Sequence, residues 1–208
     1  MLKPIWQRSL LTLVNSKLDP GAYDHLMNPT DIPFKYARPL VVLHWLMFFL
    51  FILLYAAMEF RVLYDKGMPE REFMKSLHFM FGLCVLALVL LRLVVKRLSP
   101  HPELMDLNGV PLLLQRASRL GHLVLYLFMV IMPIMGWLML SAAGKPIPFF
   151  GLELPALIAP DDNLAKQIKA AHALAGNVGY VLIGLHVAAA LFHQLVLKDP
   201  LLQRMRWR

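Results

Sequence analysis

The sequence predicts an all-α integral membrane protein, a four-helix bundle that runs up-down-up-down. Of its 208 residues 59% are hydrophobic and only 16% are charged, whereas about a quarter of the residues in a soluble domain are charged. The charges avoid four stretches, each long enough to cross a hydrocarbon core of about 30 Å as a helix. These stretches lack the alternation of barrel strands, the other structures that can span a bilayer. The four stretches are 39–58, 77–95, 120–143 and 171–197.

The chain divides into three parts around these stretches. Residues 1–34 form an N-terminal extension, residues 35–198 the membrane domain, and residues 199–208 a basic tail. Apolar residues in the extension fall at helical spacing, which is compatible with a helix that lies in the membrane interface. The alternatives are a frayed tail and a later start of the protein at Met27. The apolar patch at 10–14 is too short for the core of a signal peptide.

The distribution of Lys and Arg predicts the orientation of the chain. Fourteen of the 21 basic residues lie in the segment up to Arg38, in the middle connection with its flanks at 92–119, and after Leu197. Seven lie in the first and third connections. The positive-inside rule therefore places both termini and the middle connection in the cytoplasm. The net charge of +8 follows from this topology and from contact with lipid headgroups, and it predicts no nucleic-acid binding.

The connections differ in length and composition. The first outer connection, 61–75, is short, so the first two helices should be antiparallel neighbours. The cytoplasmic connection, 96–119, contains three prolines and should be mostly irregular. The last outer connection, 145–169, contains four prolines and should form an ordered cap on the outer surface. Pro133 and Gly136 predict a kink in the third span.

Four histidines lie inside the apolar stretches. His172 and His186 are fourteen residues apart, close to four helical turns, so they project from nearly the same face about 21 Å apart along the axis. Helix rise and topology place His78 at the outer depth of His172, and His44 at the inner depth of His186. A histidine inside a membrane is costly and indicates function. The spacing therefore predicts two bis-histidine sites, His78 with His172 and His44 with His186.

Two imidazoles at each of two depths suit two b-type haems. An iron held by two histidines transfers single electrons, and helix bundles build such sites from facing side chains. The one cysteine, Cys84, is interpreted as a buried apolar residue, and no haem-attachment motif is present. The alternative is that all four are core histidines whose hydrogen bonds are satisfied within the protein. Small residues in the fourth stretch leave room for a flat macrocycle. They are Gly176, Gly179, Gly184 and Ala188.

Other polar residues lie near the inner ends of the spans. His122 opens the third span, and His193 falls seven residues after His186. Either could replace an inner ligand, bond a haem propionate, serve a quinone, or be a plain interfacial histidine. Cationic side chains near the histidines could pair with propionates or simply anchor the helices at the membrane surface. They are Arg38, Lys75, Arg92 and Lys96.

Four motifs occur together in the membrane domain. They are Tyr36-x-Arg38-x5-His44-Trp45, Ala57-Met58-Glu59-Phe60-Arg61 ahead of His78, Leu120-Gly121-His122-Leu123, and His172-x6-Gly179-Tyr180-x3-Gly184-Leu185-His186. In combination they resemble the bacterial cytochrome b561 family, from about residue 35 to 198. The resemblance implies a four-helix cytochrome of the inner membrane with two haems b. It also implies that His44, His78, His172 and His186 are the iron ligands.

The resemblance further implies oxidation of superoxide at the outer face and electron transfer to ubiquinone. Basic side chains on that face could attract an anionic donor, although acidic neighbours weaken this argument. One alternative is an electron-transfer subunit docked to a periplasmic hydrogenase or dehydrogenase, but the short outer connections favour a stand-alone enzyme. A second alternative is a haem-free transporter or scaffold. The basic side chains are Arg61, Arg71, Lys75 and Lys145.

Overall fold

Four long helices make up the computed structural model, which describes residues 36–99, 112–196 and 205. Each helix is long and apolar enough to cross a membrane. The predicted four-helix membrane bundle is therefore confirmed. The extension 1–34 and, apart from Met205, the tail 199–208 lie outside the described residues, so the predictions for them stay predictions. The helices are α1 Arg38–Phe60, α2 Pro69–Leu98, α3 Leu112–Ala142 and α4 Asp162–Leu195.

The outer connections are shorter than the sequence predicted. Helix α2 begins at Pro69 and α4 at Asp162, so the predicted bounds 61–75 and 145–169 were wrong. Hydrophobicity marks only the part of a helix inside the hydrocarbon, whereas the helix itself continues through the polar headgroup layer. Local signals start both helices. Proline lacks the backbone N–H that a first turn leaves unpaired, and the Asp161 side chain caps α4 by accepting from backbone nitrogens 2.9 and 3.0 Å away.

The connection between α1 and α2 is a tight turn. A single 3-10 turn, Arg61–Leu63, follows α1 directly. The Arg71 guanidinium, from the first turn of α2, donates to the carbonyl oxygens of Arg61 at 3.1 Å and Tyr64 at 2.6 Å. These bonds hold the start of α2 against the end of α1. The prediction that the first two helices are antiparallel neighbours is confirmed.

The connection between α3 and α4 contains a small hairpin. Strand β1, Pro148–Phe149, pairs antiparallel with β2, Leu152–Glu153. The two residues between the strands, Phe150 and Gly151, have positive φ angles of 48° and 80°. Two successive positive φ angles suit the right-handed twist of a two-residue hairpin. The ordered segment predicted here is present, and its position on the membrane surface stays a prediction.

Ser141 fastens this connection to the end of α3. Its side chain is only 1% exposed. The hydroxyl donates to the Trp137 carbonyl at 2.9 Å and accepts from the Leu157 backbone nitrogen at 3.0 Å. The Trp137 indole nitrogen donates to the Pro155 carbonyl at 3.0 Å. The 143–161 segment, called the outer cap below, is therefore bonded to α3 at two places.

The helices pack in chain order, α1 on α2, α2 on α3 and α3 on α4. Within the described residues, the backbones of α1 and α4 do not pack closely together. Side chains alone join these two helices. Only a few apolar residues, such as Val85 and Val89, are fully enclosed, and many large apolar side chains lie on the outside. That distribution suits a bundle whose solvent is lipid.

Candidate functional site

His78 on α2 and His172 on α4 form the outer pair. Their ring centroids are 6.2 Å apart and the ring planes are inclined at 81°. His78 Nδ1 lies 3.2 Å from the carbonyl oxygen of Leu54 on α1. Because a carbonyl only accepts, Nδ1 carries the proton and Nε2 keeps a lone pair, the arrangement typical of a histidine that ligates a metal. His172 Nδ1 is buried, and no described group hydrogen-bonds to it.

An apolar pocket borders the outer pair. It encloses about 380 Å³ of space between atoms, part of it open to the surroundings. Gly136 on α3 faces His172, since a Cβ added there would lie in van der Waals contact, 3.5 Å from His172 Cε1. Ile147 of the outer cap is 2% exposed and lines the same pocket. The outer pair therefore lies in apolar surroundings next to the outer cap.

His44 on α1 and His186 on α4 form the inner pair. Their ring centroids are 6.3 Å apart and the planes are inclined at 61°. The structure thus brings together the same two pairs that depth alone predicted. A third histidine, His122 on α3, has its ring 5.6 Å from that of His186. His193 lies farther along α4, with its ring 6.4 Å from Phe192.

His122 also has a hydrogen-bond partner on its own helix. Its Nδ1 lies 2.7 Å from the Ser118 carbonyl oxygen, so Nδ1 donates and Nε2 is the ring nitrogen left for another partner. His122 is exposed, in contrast to the half-buried His44 and His186. The geometry brings His122 to the inner pair without deciding among the roles that the sequence left open for it.

Arg92 links three helices beside the inner pair. Its Nη1 donates to the Leu40 carbonyl on α1 at 2.5 Å, and its Nε donates to the Tyr126 hydroxyl on α3 at 3.2 Å. Leu40 lies one turn before His44 on the same helix. Lys96 Nζ lies 5.3 Å from the centre of the Tyr126 ring, a cation–π contact. An arginine inside a membrane is costly, and these two acceptors satisfy part of its donor set.

The remaining cationic candidates lie at the helix ends. Arg38 is the first residue of α1 and is exposed. Lys75 Nζ bonds Glu72 Oε1 at 2.5 Å in an exposed pair one turn apart on α2. The Lys75 charge is therefore partly neutralised locally, which reduces its effect on a charged ligand.

The two histidine pairs fit a metal whose other ligands do not come from the protein. Within the described residues, no group of three or more His, Cys, Asp or Glu side chains could hold a metal ion. Two imidazoles on opposite sides of one metal, each with a metal–nitrogen bond of about 2.0–2.1 Å, have ring centroids about 6.3 Å apart. The observed 6.2 and 6.3 Å agree with that value. The residues present thus fit a haem iron, which each pair of imidazoles would hold.

The similarity to known proteins decides the family. The family model described as prokaryotic cytochrome b561 matches residues 35–208. This chain belongs to the prokaryotic cytochrome b561 family. The chain is 30% identical over 171 residues to cytochrome b561 homolog 1 of Escherichia coli strain K12, covering 82% of this chain and 96% of that protein. It is 34% identical over 174 residues to the probable superoxide oxidase CybB of Yersinia pestis, covering 82% and 95%.

A third relative is cytochrome b561 homolog 2 of Escherichia coli strain K12, 30% identical over 187 residues and covering 86% of this chain and 95% of that protein. Membership makes this chain a multi-pass bacterial membrane protein that takes part in electron transport as an oxidoreductase. Binding of haem b and its iron follows from the family. The haem-free transporter or scaffold alternative is therefore not supported.

One feature of the site was not predicted. The small residues of the fourth stretch, Gly179 among them, were expected to leave room for a macrocycle, but Tyr55 of α1 and Phe128 of α3 occupy the space beside Gly179. The available signal was the position of Gly179, seven residues from both His172 and His186. No sequence pattern indicated which side chains would reach it.

Proposed function

We propose that this protein binds two haems b and carries electrons across the bacterial inner membrane from superoxide to ubiquinone. His78 and His172 hold the outer haem, and His44 and His186 hold the inner haem. The observation that carries this proposal is the presence of two imidazole pairs, 6.2 and 6.3 Å between centroids, at two depths of one bundle. Helix α4 supplies one ligand to each pair, about 21 Å apart along its axis.

The charge distribution supports the direction of the path. With both termini in the cytoplasm, the His78–His172 pair faces the periplasm and the His44–His186 pair lies nearer the cytoplasm. Superoxide formed outside the cell membrane would meet the outer pair first. The relative named as a probable superoxide oxidase supports this choice of donor.

The reaction balances with two donors for each acceptor. Each superoxide gives up one electron and becomes dioxygen. A quinone takes up two electrons and two protons and becomes a quinol, so two superoxide ions reduce one quinone. A haem, when bound, supplies the reversible one-electron transfer that joins these two half-reactions.

The residues of this chain hold and tune the two sites. The Leu54 carbonyl bonds His78 Nδ1 and so leaves Nε2 as the ring nitrogen for a metal. Arg92 orders the α1 backbone one turn from His44. His122, beside His186 and with Nδ1 bonded to Ser118, has Nε2 left to bond a quinone or a propionate. Arg38 and His193 remain candidates for a propionate or for the quinone.

The test uses the full-length protein, purified in detergent. A pyridine haemochrome assay should give two haems b per chain. Mixing with superoxide in a stopped-flow instrument should reduce haem, and a water-soluble ubiquinone analogue should then reoxidise it. The yield should be two dioxygen per quinol. A ratio of one haem per chain would contradict the two-site arrangement, and haem that superoxide does not reduce would contradict the donor.

The docked-subunit alternative predicts a different result. A periplasmic hydrogenase or dehydrogenase should co-purify with the membrane domain and reduce its haem faster than superoxide does. The described outer connections are a short turn and the outer cap, which offer little surface for such a partner. A stand-alone oxidoreductase is therefore the function that the geometry supports best.

A further inference from the structure

One face of α4 carries three regularly spaced residues. His172, Gly179 and His186 are each seven residues apart, close to two helical turns, so all three project from nearly the same side. Gly179 therefore lies midway between the outer and the inner histidine. Whatever contacts Gly179 lies between the two sites.

Two aromatic side chains contact Gly179, which is buried. A Cβ added to Gly179 would lie 2.5 Å from Phe128 Cζ and would overlap the hydroxyl of Tyr55. Contacts this short between carbon atoms are sterically forbidden, so only glycine fits at this position without movement of its neighbours. Tyr55 comes from α1 and Phe128 from α3. Three of the four helices thus meet at this level.

Hydrogen bonding fixes Tyr55 in place. Its hydroxyl donates to the Gly176 carbonyl oxygen on α4 at 3.0 Å. Its ring lies against that of Tyr180, with centroids 4.3 Å apart. The Tyr180 hydroxyl in turn donates to Glu59 Oε1 on α1 at 2.5 Å. Because the α1 and α4 backbones do not pack closely, these side chains set the spacing of the helices that hold the inner pair.

We propose that Tyr55 and Phe128, seated on Gly179, form a septum between the two haem sites. They are positioning residues: they hold α1 and α3 at a fixed distance from the histidine face of α4, and they keep lipid and water out of the space between the sites. This inference rests on the proposed function. Burial and hydrogen bonding around a haem set its reduction potential, so the septum helps to set the potentials at both sites.

The test compares two residues of the same helix. Gly179→Ala introduces the overlap described above, whereas Val181→Ala shortens a side chain of α4 that is 60% exposed on the outside of the bundle. The holoprotein is measured by spectroscopic redox titration and by the rate at which an electron reaches the inner haem. Gly179→Ala should keep two haems, shift both midpoint potentials and slow electron transfer to the inner haem, because burial and hydrogen bonding around a haem set its potential. Val181→Ala should match the unmodified protein.

A rescue variant tests whether the effect of Gly179→Ala comes from the overlap with the septum or from a general change in helix α4. Tyr55→Phe removes the overlapping hydroxyl and Phe128→Leu removes Cζ, so adding both to Gly179→Ala should move the potentials back toward their original values, and the remaining difference should equal that of Tyr55→Phe, which lacks the bond to Gly176. If Gly179→Ala does not accumulate, Tyr55→Phe alone provides the test, because it keeps the ring, loses the bond to Gly176 and should still shift the potentials.

The result distinguishes this inference from the function on which it rests. An unmodified protein with fewer than two haems would contradict the proposed function before any variant is made. Two haems in every protein, with Gly179→Ala and Tyr55→Phe titrating like Val181→Ala, would overturn the septum alone.

Discussion

The two ends of the bundle offer similar histidine pairs in different surroundings. The outer pair borders an apolar pocket beside the outer cap, and one ring nitrogen bonds a backbone carbonyl. The inner pair has a third histidine beside it and an arginine network that joins three helices. The spacing of the rings is nearly the same, so the difference lies in what surrounds them.

This difference bears on the direction of electron flow. A fixed positive charge near a redox centre stabilises the form that has gained an electron. Arg92 on α2 bonds the Leu40 carbonyl, one turn of α1 before His44, and provides such a charge at the inner site. We therefore expect Arg92 to raise the potential of the inner haem, which favours electron transfer from the periplasmic side toward the cytoplasmic side.

The largest expected effect comes from removing a ligand at one site only. His172→Ala should lose the outer haem and keep the inner one, and His44→Ala should do the reverse, so each holds one haem per chain. His122→Ala should retain both, because His122 is exposed and does not belong to either predicted pair. The measurement is haem per chain with electron paramagnetic resonance spectra of the remaining centre. Loss of the inner haem in His122→Ala, with retention in His44→Ala, would make His122 the inner ligand.

A smaller effect is expected at the outer cap. Ser141→Ala removes the partly buried bond to the Leu157 backbone nitrogen, and loss of one such hydrogen bond costs about 0.5–1.5 kcal/mol. The variant should unfold at lower temperature and release the outer haem before the inner one on heating. Thermal unfolding followed at the haem absorption band measures the unfolding temperature and the order in which the haems are released. Simultaneous release of the two haems would show that the cap does not distinguish the sites.

The smallest expected effect concerns charge at the inner site. Arg92→Met should lower the midpoint potential of the inner haem by an amount equivalent to about 1–2 kcal/mol, as expected for one charge several ångströms away at intermediate dielectric. Arg92→Lys keeps the charge and should retain most of the potential. Redox titration measures both variants, and the outer haem serves as an internal reference. Equal shifts of the inner midpoint potential in Arg92→Met and Arg92→Lys would assign the effect to packing and not to charge.

Much of this architecture was predictable because a bilayer restricts the possible structures. Runs of about 20 apolar residues had to be helices, and Pro69 and Asp161 mark the starts of α2 and α4 once the polar headgroup layer is included. The pairing of His78 with His172 and of His44 with His186 followed from helix rise and basic-residue asymmetry. The depth of a residue in the membrane depends on its position along a helix, so residue number is enough to predict it.

The sequence by itself determined the number of helices, their order and the depth of each histidine, because membrane thickness and helix rise convert residue number into depth. Only the tertiary structure decided what lies around each helix at a given depth: Arg92 bonding to Leu40 and Tyr126, the outer cap fastened by Ser141, and Tyr55 with Phe128 filling the space at Gly179. Those contacts depend on the rotation and separation of the helices. Side-chain packing fixes both, and no periodicity along the chain records them.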